Sequence, residues 1–113
     1  EQYLIRAEAY AKQNLITEAQ QDVNAIRKRA GLTEINAGGQ QAILDAILRE
    51  RRHELFLEWG HRWTDLKRTG SIDSVMNIVA AEKGGSWSAY KALYPIPQAE
   101  INTNPNLEQN PGY

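Results

Sequence analysis

A chain of 113 residues with 42% hydrophobic content is enough for one compact domain with a modest core, and its formal charge of −1 excludes the strongly basic balance of a dedicated nucleic-acid binder. It carries no cysteine, which removes disulfides and thiolate metal sites from consideration. No apolar run approaches the roughly 20 residues needed to cross a bilayer, and no basic-then-apolar leader stands at the start.

Helical patterning begins at once. From Tyr3 to about Gln13, alanine and straight-chain residues dominate, and Leu4, Ala7 and Ala11 recur on one face. With neither a methionine nor a capping residue ahead of it, this opening reads as the middle of a helix and the chain as a fragment of a longer protein. Thr17 with Gln20 three positions later fits a capping box for a second helix. That helix presents Ala19, Val23, Ile26 and Ala30 on one face, carries Arg27, Lys28 and Arg29 in its last turn, where the dipole favours cations, and stops at Gly31. So short a turn makes the two helices antiparallel. Tyr3, Ala7, Tyr10, Ala19, Val23 and Ile26 fall at the key spacings of a tetratricopeptide-like hairpin, with Arg6 at the usual leucine position. A single hairpin does not make a solenoid.

After a loop at TEINAGG, a long third helix is predicted from Gln40 through Ile43, Leu44, Ile47, Leu48, Leu55, Trp59 and Leu66 to Gly70. Ser71 or Asp73 can cap a short fourth helix over Ile72 to Ala81, followed by a mobile loop at Lys83-Gly84-Gly85-Ser86. The ending YPIPQAEINTNPNLEQNPGY holds all four prolines, and it reads as an irregular tail that excludes helix and wraps the others. The predicted fold class is therefore all-α, a single helical unit over residues 1–113.

The segment RERRHELFLEWGHRWTDLKR sets the main puzzle. If Gly60 does not break the helix, Leu44, Leu48, Leu55 and Leu66 share one stripe, and Arg51, Glu58 and Arg62 share it with them. Charges embedded in an apolar stripe need partners, so Arg51, Glu58, Arg62 and Asp65 are expected to form a structural ion-pair network that braces the helix. Glu58 and Arg62 stand four apart in the favourable order, and Arg62 and Asp65 three apart. Glu50, Glu54, Glu58 and Asp65 interrupt the basic residues, so no continuous positive face forms for nucleic acid. The two histidines, His53 and His61, are eight apart, which does not fit the HExxH zinc pattern. No nucleophile elbow, phosphate loop or isolated carboxylate pair is present, and the sequence points to no enzyme, metal or cofactor. Trp59 and Trp63 are read as core.

The long helix and the proline-rich ending resemble the SusD/RagB family of outer-membrane nutrient-binding lipoproteins. The resemblance rests on ERRHEL at 50–55, EWGHRW at 58–63, DLKRTG at 65–70, YPIP at 94–97, Glu100-Ile101 and NPNLEQNPGY at 104–113. Thr64 departs from the aromatic residue common at that position. The resemblance implies the C-terminal part of a longer protein, held at the outward face of the outer membrane by an N-terminal lipid anchor that lies upstream. It implies capture of oligosaccharides or other nutrients for a SusC-like TonB-dependent transporter, and it implies that the charged helix is scaffold. Sugars bind such proteins by stacking on aromatic rings, which needs no motif spacing. Trp87 and Tyr90, after the glycine-rich loop, are the candidate sugar contacts, with pinning of that loop onto the helices as the competing role. The competing function is a helical-repeat scaffold for protein partners, supported by the hairpin alone.

Overall fold

Two helices at the start of the chain carry most of its core. In the computed structural model, which describes residues 1–113, α1 (Gln2–Lys12) and α2 (Ile16–Arg29) form the expected hairpin. They are followed by α3 (Gln40–Glu54), α4 (His61–Arg68), α5 (Ile72–Glu82), a 3-10 turn (Ala89–Ala92) and α6 (Gln98–Thr103), so the chain is all-helical. The coordinates divide into two compact units, residues 1–65 and 66–113.

In the first unit, Leu4, Ala7 and Ala11 of α1 meet Ala19, Val23 and Ile26 of α2, and Ile43, Ala46 and Ile47 of α3 complete the cluster. Ala7, Ala11 and Ala19 have no accessible surface. Their methyl side chains leave the two backbones free to approach closely. Ala30, expected on the same face, is exposed.

The turn between α1 and α2 is set by how α1 ends rather than by a capping box. Asn14 adopts a left-handed conformation (φ 63°), and Leu15 N donates to Tyr10 O at 2.9 Å, a six-residue closure that uses up a carbonyl of the last turn. Helix α2 then starts at Ile16 behind Leu15, which makes no side-chain cap, and Thr17 lies inside the helix. The same closure ends α2, where Gly31 takes φ 70° and Leu32 N donates to Arg27 O at 2.9 Å.

Polar side chains finish the unit where apolar ones do not reach. Arg6 donates from Nε and Nη2 to the two oxygens of the buried Asp22 carboxylate, at 2.8 and 2.6 Å, and its guanidinium lies over the rings of Tyr3 and Tyr10 at 5.4 and 5.9 Å. This bidentate hydrogen bond, and then the Asp22 charge, hold the Arg6 pKa above its ordinary value. The loop at residues 33–39 is held to α2 by side-chain amides. Asn24 pairs with both the N–H and the carbonyl of Ile35 (2.9 and 3.1 Å), and Gln20 Oε1 accepts from Ala37 N at 2.8 Å, so Ile35 and Ala37 pack against the core.

The predicted long third helix is two helices. Helix α3 stops at Glu54, and Leu57 (φ 61°), Trp59 (φ 45°) and Gly60 (φ 70°) are left-handed before α4 begins at His61. An α-helix cannot continue through positive φ, so the apolar period that runs on in the sequence does not run on in space. The buried face of α3 is accordingly Ile43, Ala46, Ile47, Glu50 and Arg51, with Leu44 and Leu48 only half-buried. Trp59, read as core, is 93% exposed, whereas Trp63 is half-buried.

In the second unit, α5 matches the predicted fourth helix to within one residue at its end. The tail departs from expectation, because α6 forms within it between Pro97 and Pro105. Proline obstructs a helix from inside but not from its start, and here Pro97 O accepts from Glu100 N at 2.9 Å. The rest of the tail folds on itself. Gln109 bonds both the N–H and the carbonyl of Ile96 (2.7 and 3.0 Å), Asn110 Nδ2 donates to Tyr94 O at 2.6 Å, and the Tyr113 hydroxyl donates to Leu93 O at 2.8 Å.

The alanine seam is open to a direct test. Ala19→Leu inserts three carbons where no surface is accessible and is expected to cost about 1–3 kcal/mol in chemical denaturation. Ala30→Leu, on an exposed position, is expected to change stability by less than about 0.5 kcal/mol.

Candidate functional site

The four residues expected to form an ion-pair network divide into two pairs with different surroundings. Arg51 and Asp65 come together: Arg51 Nε donates to Asp65 Oδ2 at 2.8 Å, and the two side chains are only 6% and 7% exposed. Glu58, in the turn, and Arg62, on α4, are both exposed. Partial burial, and secondarily the nearby Arg52 charge, push the Arg62 pKa down, against an opposing pull from Asp65.

Other charges are paired along α2 and α3. Arg27 Nη1 donates to Glu50 Oε2 at 2.8 Å, with Glu50 buried, and Arg29 pairs with Glu54. The arginines in the last turn of α2 thus serve α3 as well as the helix dipole. Sequence reasoning missed these partners, and it also missed Arg6 with Asp22. The available signal was Arg6 at a position where leucine is usual, since an arginine there needs an acid on the facing helix. His61 Nε2 lies 3.7 Å from Glu1 Oε1, and His53 is exposed.

The aromatic candidates lie in the second unit. Trp87 is half-buried, and its indole N–H donates to Asp73 Oδ1 of α5 at 2.7 Å. That bond fixes the orientation of the ring at the end of the glycine-rich loop. Lys91 Nζ donates to Ser86 O at 2.9 Å and closes the same loop. Tyr90 is 39% exposed and meets Tyr113 edge-on, with ring centroids 5.1 Å apart at 89°. Gly112 passes so close that a Cβ there would sit 2.5 Å from Tyr90 Cγ, and its φ of +96° is one that side-chain-bearing residues rarely adopt. Tyr94, two residues after the 3-10 turn, is 71% exposed.

Rings oriented by their polar ends and edges, yet partly open to solvent, have the character of a stacking surface: rigid, apolar on the face and tolerant of hydroxyl-rich ligands. The chain is a helical scaffold, and ion pairs tie the helices of its first unit together. The SusD-family profile matches residues 1–113, and the chain belongs to that family.

Over its whole length the chain is 37% identical to the starch-binding protein SusD of Bacteroides thetaiotaomicron, of which it covers 20%. A SusD-like protein of Formosa agariphila is 34% identical over 97% of the chain and 22% of that protein. Among solved structures, a SusD-superfamily protein of Bacteroides vulgatus superposes with a TM-score of 0.83 at 27% identity, covering 98% of this chain and 26% of that one. The surface glycan-binding protein A of Bacteroides thetaiotaomicron superposes with a TM-score of 0.77 at 38% identity, covering 98% and 23% respectively. The chain thus spans about a fifth to a quarter of the relatives it matches.

The buried pair and the exposed arginine are expected to behave differently. Arg51→Met removes the arginine that Asp65 meets in this buried site and is expected to cost about 3 kcal/mol, measured by denaturant unfolding. Adding Asp65→Leu is expected to recover a large part of that loss. Arg62→Met is expected to change stability by less than about 1 kcal/mol.

Proposed function

We propose that this chain is the C-terminal part of a cell-surface protein that captures oligosaccharides at the outward face of the outer membrane and passes them to a SusC-like, TonB-dependent transporter. The observation that carries this reading is the whole-chain likeness to proteins named for starch and surface-glycan binding. Attachment to the membrane is through a lipid anchor on the longer polypeptide, and no helix here is long and apolar enough to cross a membrane. The role is binding rather than catalysis.

Trp87 and Tyr90 are the ligand contacts proposed within these residues. Trp87 spends its N–H on Asp73 and is half-buried, and Tyr90 presents a partly open ring held edge-on by Tyr113. Such rings recognise the apolar face of a pyranose, while nearby amides and hydroxyls select among its substituents. A helical-repeat scaffold, the competing reading, gives no role to the paired amides of Gln109 and Asn110.

A glycan array probed with the full-length protein, followed by calorimetric titration of the best ligand, tests the function. Specific binding of a class of oligosaccharide is expected, and a protein that binds none of them is not a glycan receptor. Trp87→Ala is expected to weaken binding about tenfold, roughly 1.4 kcal/mol, with Tyr90→Phe close to wild type. Unchanged affinity in Trp87→Ala, with array binding intact, moves the site elsewhere without touching the function. Co-purification of the full-length protein with an outer-membrane transporter from detergent extracts tests the delivery step.

A further inference from the structure

The tail touches Tyr90 twice, and both times it touches the side chain. Gly112 passes beside the base of the ring: a Cβ on residue 112 would lie 2.5 Å from Tyr90 Cγ, 2.7 Å from its Cδ2 and 2.9 Å from its Cβ, distances at which carbon atoms overlap. Tyr113 then meets the ring edge-on. Neither contact is loose, because the Tyr113 hydroxyl is fastened to Leu93 O and Asn110 Nδ2 to Tyr94 O, so this part of the tail is tied to the backbone that follows Tyr90. The 3-10 turn that carries Tyr90 is four residues long and does not by itself fix the rotamer of a partly exposed ring. The other ties of the tail differ in kind, since Gln109 and Asn110 bond main-chain groups of Ile96 and Tyr94.

We propose that Gly112 and Tyr113 are positioning residues for sugar recognition: they hold the Tyr90 ring in the orientation in which it stacks on an oligosaccharide. This rests on the reading of Tyr90 as a ligand contact, and it goes further by assigning the aim of that contact to the tail. Stacking depends closely on placement. A gap of about 0.5–1 Å between stacked surfaces already forfeits roughly a quarter to a half of their dispersion attraction, so affinity follows where the ring is held. A ring fixed in advance also spares the ordering of a side chain when the sugar binds. Only glycine serves at position 112, because a side chain there would displace the ring and φ is +96°. Tyrosine serves at position 113 because its hydroxyl anchors the ring that braces Tyr90.

The test measures affinity in the full-length protein, by calorimetric titration with the oligosaccharide that binds it most tightly on the array. Tyr90→Ala is expected to weaken binding about fivefold. Gly112→Ala is expected to weaken it to a similar extent and to add nothing further in the Tyr90→Ala background, because both changes act through one ring. Tyr113→Leu removes the edge contact without crowding the ring, so it carries the comparison if Gly112→Ala does not fold. It is expected to behave as Gly112→Ala does, with Tyr113→Phe retaining most of the affinity. Asn110→Ala is the control, cutting a tie of the tail to main chain, and is expected to lower the melting temperature while leaving affinity near wild type. Wild-type affinity in folded Gly112→Ala and Tyr113→Leu, losses that add to that of Tyr90→Ala, or an equal loss in Asn110→Ala overturns the inference and leaves the glycan reading standing. Wild-type affinity in Tyr90→Ala removes the contact and the inference with it, whereas a protein that binds no oligosaccharide on the array fails as a receptor.

Discussion

The architecture of the first unit turns on the single buried bond between Arg51 and Asp65. Fourteen residues of uninterrupted α-helix would place them about 21 Å apart. Their side chains meet at 2.8 Å because the helix stops and the chain turns between them. A paired charge in a nearly dry site adds little net stability over an apolar pair, but it discriminates strongly between arrangements. A straight helix would keep these two groups apart. The bond is therefore available only in the broken form, whose turn carries the left-handed residues.

The same logic recurs on a smaller scale. Arg6 with Asp22, Arg27 with Glu50 and Asn24 with Ile35 each join segments that apolar packing alone leaves loosely specified. The apolar cluster fixes which faces meet, and four of its nine buried residues are alanines. Directional bonds between α1 and α2, α2 and α3, and α2 and its following loop set the register. Four arginine–carboxylate pairs in the first unit act as structural ties.

The elements that were readable in the sequence are those whose apolar period matches what they bury. Leu4, Ala7 and Ala11 on α1, and Ala19, Val23 and Ile26 on α2, sit where their spacing places them. The break after Glu54 was not readable, because Leu55, Trp59 and Leu66 continue the helical period and neither leucine nor tryptophan signals a left-handed backbone. Gly60 was the one local clue, and it accounts for only part of the turn. Helix α6 was hidden for the opposite reason: prolines on both sides obscured a six-residue stretch that contains none. Rings that stack on sugars need no fixed spacing, so nothing in the local pattern separates Trp87 as a ligand contact from Trp87 as a loop anchor. Family membership was readable because the resemblance rests on several short runs of residues, the tail among them.

Those runs include a segment with an unusual property. Between Pro95 and Pro97 the main chain has one amide hydrogen, that of Ile96, and the Gln109 side chain takes it. Gln109 also donates to the Ile96 carbonyl, while the Pro97 carbonyl accepts from α6. An extended stretch on a protein surface ordinarily offers a ladder of vacant donors and acceptors on which a neighbouring molecule can add a strand. Here a glutamine amide acts as the missing strand, and the stretch has no main-chain donor left to offer. Molecules crowded side by side can carry this tail without its becoming a seed for aggregation.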